Sequence, residues 1–126
     1  MLKGMVQKVV GTRFQREMKR LQPIVDDILR HEERLGEVSE EELKAQTGKF
    51  REIIRARTQK PEDHIQRLKD DRRHTEDSSK RADLSERMSR AETELTEATN
   101  EVLDELLPEA FATVREACRR MLGREI

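Results

Sequence analysis

The sequence predicts an all-α protein: amphipathic N-terminal helices, an elongated αα-hairpin of coiled-coil type and a short C-terminal helix. Three observations carry this reading. Of 126 residues, 42% are charged and only 33% hydrophobic, with three phenylalanines and no Trp or Tyr. That apolar content is well below the ~45–50% of ordinary globular domains and leaves too little material for one large core. The apolar residues also recur at steps of three and four, the helical period, rather than alternating as in strands. Finally, five glycines and three prolines leave long stretches without a helix breaker.

The first helix is short and basic. Leu2, Met5, Val6, Val9 and Val10 share one helical face, and residues 1–20 hold Lys3, Lys8, Arg13, Arg16, Lys19 and Arg20 against Glu17 alone, a local charge of +5. Gly11 interrupts this helix, and Thr12 with Gln15 three residues on reads as a capping box that opens a second one. The second helix runs from about Arg13 into the low thirties on a stripe of Phe14, Met18, Leu21, Val25, Ile28 and Leu29. Pro23 lies within it, predicting a kink or a fresh start near Leu21–Pro23, and Gly36 marks the stop.

Ser39 and Glu42 form the next capping box, so a third helix begins at about Glu40. Its seam reads Leu43, Thr47, Phe50 and Ile54, then resumes beyond Pro61 at Ile65 and Leu68. Residues 84–102 give a cleaner pattern, since Leu84, Met88, Ala91, Leu95, Ala98 and Val102 alternate steps of four and three throughout. Between the two seams, residues 74–79 contain no apolar side chain, and the chain reverses there. Pro108 suits the first turn of a last helix, whose apolar face is Phe111, Val114, Ala117, Cys118, Met121 and Leu122, with Gly123 as its stop. Little remains to bury that face.

Catalytic chemistry is hard to place on this chain. The glycines at 4, 11, 36, 48 and 123 fit neither a phosphate-binding loop nor a dinucleotide fingerprint. His31, His64 and His74 read as solvated residues without metal-ligand spacing, and Cys118 reads as a small buried hydrophobe. One thiol excludes an internal disulfide and suits a reducing cytosol. No run is long enough to span a membrane, and the first residues lack the apolar core of a signal peptide. Nucleic acid is not a favoured partner, because the basic patch interleaves with Val and Met rather than with stacking aromatics. Cations beside an aliphatic face suit an anionic lipid surface or an acidic groove.

Three stretches taken together resemble the N-terminus of the SecA family, the ATP-driven motors of bacterial preprotein translocation. They are Met1-Leu2 with Lys8-Val9-Val10-Gly11-Thr12-Arg13 and its continuation to Ile28; Val38 to Thr47 with Lys49-Phe50-Arg51; and Leu106-Leu107-Pro108-Glu109-Ala110-Phe111-Ala112-Thr113-Val114-Arg115-Glu116-Ala117. The last is the most specific, being close to the family's Leu-Pro-Glu-Ala-Phe-Ala-x-Val-Arg-Glu-Ala. The resemblance covers about residues 1–57 and 101–123, with a helical insertion at about 58–100.

The resemblance implies three regions: 1–38, the basic helix and second helix; 39–107, the hairpin with its insertion; and 108–126, a terminal helix leading towards a nucleotide-binding domain. It implies a docking segment of a translocation motor, peripheral on the inner face of the bacterial plasma membrane, that contacts anionic phospholipid and the SecYEG channel. Preprotein, ATP and magnesium belong to the longer parent ATPase, and no cofactor, metal or catalytic residue transfers to this chain. The residues assigned to lipid or channel binding are Leu2, Lys3, Met5, Val6, Lys8, Val9, Arg13, Arg16, Lys19 and Arg20. The competing reading is a stand-alone helical protein that forms a homo-oligomer through the Leu84–Val102 seam.

Overall fold

The computed structural model describes the backbone of residues 2–124 and the side chains of residues 11–123. Among the described residues the fold is all-α, with three helices and no strand: α1 (Leu2–Leu35), α2 (Glu40–Arg73) and α3 (Ser78–Arg124).

α1 is one helix rather than two. It passes through Gly11 without a break and through Pro23 without a fresh start. A single glycine costs a helix only about 1 kcal/mol relative to alanine, less than helix formers on both sides recover by continuing the hydrogen-bond ladder. Pro23 removes one backbone donor, but residues 12–26 are exposed, so water can solvate the carbonyl left without a partner.

The helix ends at Leu35, and Gly36 needs no left-handed conformation, since no glycine among the described residues has positive φ. Instead the Gly36 amide still bonds the Glu32 carbonyl at 2.9 Å, and Glu37 and Val38 tighten the end through bonds to Arg34 and Leu35. Ser39 then caps α2 as its spacing with Glu42 predicts. Its Oγ accepts the Glu42 amide at 3.2 Å, with Glu40, Glu41 and Glu42 at the positive end of the helix dipole.

α2 contains Pro61 and α3 contains Pro108, both inside continuous helices. The expected separate C-terminal helix is therefore the last part of α3, which also runs through Gly123 to Arg124. Between α2 and α3 the reversal falls where the sequence has no apolar residue. His74 Nδ1 lies 2.7 Å from the Asp70 carbonyl, Thr75 Oγ1 donates to the Asp71 carbonyl, and Asp77 caps α3 by accepting the Ser79 amide at 2.9 Å.

The chain divides into two compact units. One comprises Met1–Lys44 with Pro108–Ile126, and the other Ala45–Leu107. The second is an antiparallel hairpin: Arg72 donates to Ser85 Oγ at 3.3 Å near the reversal, and Arg57 pairs with Glu105 farther along. Its core joins Ile65 and Leu68 of α2 to Met88 and Ala91 of α3, flanked by Leu84 and Leu95. All six seam positions predicted in α3 are buried or half-buried, Val102 completely.

On α2 the predicted seam needs one correction. Thr47 is exposed, and Gln46 takes its place at 6% exposure. The gap around Pro61 is bridged by Thr58, which is buried because its hydroxyl bonds the Ile54 carbonyl at 3.0 Å and so enters the seam with its polar group satisfied.

In the first unit the core is Leu35, Leu43 and Ala112, with Ile28, Val38 and Ala117 packed around it. The face of α3 that meets this core is not the one the apolar pattern nominates. Ala112 and Glu116 are buried, whereas Phe111, Val114, Met121 and Leu122 are exposed. Cys118, expected as a buried hydrophobe, is exposed as well.

Candidate functional site

Two features of the first unit stand out: an exposed apolar and basic helix surface, and a charge cluster buried within the fold. The first is α1. Phe14, Met18, Leu21, Val25 and Leu29 step by four, three, four and four, so at about 100° per residue they fall within about 80° of helix surface. All five are exposed, from Leu21 at 43% to Phe14 at 64%, and Ile24 beside them is exposed too. Only Ile28 of the predicted stripe reaches the core.

The cations of this helix are exposed with the stripe. By the same helical geometry Arg13 lies on one flank and Lys19 on the other, while Arg16 and Arg20 point towards the opposite side. The fold therefore brings Arg13 and Lys19 alongside the apolar stripe and leaves Arg16 and Arg20 away from it. Among the described residues none of these four cations has an ion-pair or hydrogen-bond partner. Leu2, Lys3, Met5, Val6, Lys8 and Val9 belong to the backbone of α1, but their side chains lie outside the described residues.

The sign of the charge inverts along α1. Residues 26–33 hold Asp26, Asp27, Glu32 and Glu33 against Arg30. Asp26 accepts the Gln22 amide at 2.9 Å, Asp27 pairs with Arg30, and Glu32 pairs with Arg115 of α3 at 2.9 Å. The basic surface thus ends near Leu21, and beyond it the helix is acidic and partly committed to α3.

The second feature is a buried charge cluster that the sequence reading missed. Glu116 is 4% exposed and accepts hydrogen bonds from Arg119, at 2.5 and 2.9 Å, and from Arg120 at 2.8 Å. Those bonds, from Arg119 and then Arg120, outweigh the cost of burial and lower the Glu116 pKa from 4.5 to about 2. Arg120 also donates to the carbonyls of Leu35 and Val38, at 3.0 and 2.7 Å. It thereby satisfies the open end of α1 and fixes the α1–α2 turn on α3. The available signal was the i,i+4 spacing of Glu116 and Arg120, common on solvated helices and uninformative without knowledge of which face is covered.

The remaining surfaces offer less. An open depression beside the hairpin reversal is lined by Arg72, Glu76, Ser78, Arg81, Ala82 and Ser85, of mixed charge. Among the described residues no three His, Cys, Asp or Glu side chains are grouped to hold a metal ion, and no helix is long and apolar enough to cross a membrane. His64 and His74 are exposed and His31 is half-buried. The glycines described are isolated within helices or at the α1–α2 turn.

Comparison with known proteins places this architecture. The sequence profile of the SecA DEAD-like domain matches residues 6–126, the 58–100 stretch included. The chain is 38% identical over 121 residues to the protein translocase subunit SecA of Chloroherpeton thalassium, covering 95% of this chain and 12% of that protein. It is 33% identical over 111 residues to SecA of Flavobacterium psychrophilum, covering 88% and 10% respectively. For SecA of Salinibacter ruber the figures are 34% over 138 residues, with 94% and 12% covered. The chain thus spans about a tenth of the length of these relatives, and no solved structure matches it. With a family match over nearly all its residues and relatives above 30% identity, the chain belongs to the SecA family.

Proposed function

We propose that this chain is the N-terminal docking segment of a SecA-type, ATP-driven protein translocation motor, and that α1 holds the motor to anionic phospholipid beside the SecYEG channel. The observation that carries this reading is the uncovered stripe of α1 with unpaired Arg13 and Lys19 on its flanks. Family membership supplies the context: the relatives are named as translocase subunits, and among the described residues no helix is long and apolar enough to cross a membrane.

In this mechanism Phe14 and Met18, with the aliphatic residues Leu2, Met5, Val6 and Val9, enter the boundary between headgroups and acyl chains. Lys3, Lys8, Arg13 and Lys19 attract anionic headgroups at about 1 kcal/mol each, so the attachment is reversible and salt-sensitive. Arg16 and Arg20, on the opposite side, add only to the long-range field or to an acidic surface of the channel. The acidic stretch 26–33 is repelled by the same lipids, which confines contact to roughly the first twenty residues. The assembly would sit on the cytoplasmic face of the plasma membrane. Preprotein, ATP and magnesium would be handled by other parts of the longer motor, and no step of hydrolysis falls on the residues of this chain.

The alternative of a stand-alone dimer through the Leu84–Val102 seam loses its surface, because that seam is buried against α2. Flotation with anionic and with neutral vesicles, at low and high salt, tests the docking role. Salt-sensitive flotation with anionic vesicles that disappears when residues 1–20 are deleted is the expected result. Equal flotation of both versions, or none, would remove the lipid role from α1.

A further inference from the structure

The hairpin unit, Ala45–Leu107, uses the charges of its two sides differently. On one side Arg57 pairs with Glu105, Arg87 with Asp83 and Arg90 with Glu86, and Arg67 donates to the Asp63 carbonyl, so every arginine there is engaged. At about 100° per residue, Arg51, Arg55, Lys69 and Arg73 of α2 fall on the other flank of the seam, and Arg81 of α3 falls on that same side of the hairpin. All five are exposed, and among the described residues none of their side chains has an ion-pair or hydrogen-bond partner. Ser78, Ser85 and Ser89 of α3 share this side, and the depression lined by Arg72, Arg81, Ser78 and Ser85 opens at its end.

The cations are also spaced. Lys69 and Arg73 stand 18 residues beyond Arg51 and Arg55. That is five helical turns and about 27 Å, so the two pairs point the same way, separated by close to one turn of an A-form duplex. Glu62 stands between the pairs, where a duplex lying along the hairpin would present a groove and not a phosphate backbone. The aliphatic neighbours that set the basic patch of α1 against nucleic acid are missing here. Among the described residues of the hairpin the exposed large hydrophobics are Leu103 and Leu107, both at its open end. Without an exposed aromatic this face has no platform for unstacked bases, and without an apolar stripe it has nothing to insert into lipid.

We propose that this face of the hairpin binds double-stranded RNA by its shape. Arg51 with Arg55, and Lys69 with Arg73 and Arg81, contact phosphates at two crossings of the backbone, arginine being well suited to phosphate oxygens. The serine hydroxyls meet 2′-hydroxyls in the shallow minor groove, and no base sequence is read. This inference is independent of the docking role of α1, because it concerns residues of the hairpin alone.

The test measures fluorescence anisotropy of a labelled RNA duplex of about 20 base pairs, long enough to span both crossings, titrated with the full chain at several salt concentrations. Arg51→Gln with Arg55→Gln, and separately Lys69→Gln with Arg73→Gln, should each weaken binding about tenfold or more and lower the salt slope by about two. Arg87→Gln with Arg90→Gln removes the same charge from the other side and should change affinity by no more than about twofold. The cations of α1 are common to all these variants, and circular dichroism should show equal helicity throughout. A DNA duplex and an RNA single strand of the same length should bind more weakly than the RNA duplex. No affinity for the duplex, an equal loss with the Arg87 and Arg90 changes, or preference for the single strand would overturn the proposal. Loss of flotation with anionic vesicles in the face variants, with RNA binding unchanged, would overturn it and assign the face to lipid. Deleting residues 1–20 reads the docking role separately.

Discussion

Glu116 and Arg120 show how single side chains decide which face of a helix is buried. The apolar pattern of the last part of α3 favours Phe111, Val114 and Met121, yet the fold buries Ala112 and Glu116. Small Ala112 permits close approach to Leu35 and Leu43, and Arg120 reaches the carbonyls that end α1. Glu116→Gln removes the charge that holds both arginines and is expected to cost on the order of 2 kcal/mol, measured by urea denaturation at neutral pH. Because the folded pKa is depressed to about 2, Glu116 stabilises the fold fully above its ordinary value of 4.5 and loses that contribution as pH falls towards 2. The stability gap between the parent chain and Glu116→Gln should therefore narrow across that window; a gap independent of pH would show that the carboxylate charge is not what matters. At this scale the α3 seam was legible in the sequence, because six positions agreed on one period. Gln46 was not, since steps of three and of four from Leu43 reach different polar residues and periodicity does not choose between them.

At the scale of elements, helix continuity overrode local breakers. Gly11, Pro23, Pro61, Pro108 and Gly123 all lie within helices, although sequence rules read several of them as boundaries. The boundaries that did hold, at Ser39 and within 74–79, are those where a side chain supplies a cap or where no apolar residue rewards continuation. Where a breaker survives inside a helix, its intrinsic cost should be recoverable. A Cβ on Gly48 would meet nothing within 4 Å, so Gly48→Ala is expected to stabilise the chain by about 1 kcal/mol, seen as a higher urea midpoint with unchanged slope. In the hairpin, Met88→Ala opens a cavity between Ile65, Leu68 and Ala91 and should cost about 2–5 kcal/mol. A loss below 1 kcal/mol would mean that the seam is not the source of the hairpin's stability.

For the whole molecule, the net charge of −1 conceals a segregated distribution, with +5 in the first twenty residues. That segregation was legible from the sequence, as were the all-α class and the chain reversal. The uncovered state of the α1 stripe was not, because periodicity identifies an apolar face without saying whether the chain supplies its cover. The hairpin consumed one such face and α1 kept another, which is why the docking role is assigned to α1 and not to the Leu84–Val102 seam. The most direct test exploits the absence of tryptophan from the chain. Phe14→Trp puts a single fluorophore at the exposed stripe beside Arg13. With anionic vesicles at low salt its emission should shift to shorter wavelength and be quenched by lipids brominated near the headgroup, and both effects should reverse at high salt. Emission unchanged by anionic vesicles, with no quenching by brominated lipid, would contradict the docking of α1 on the membrane.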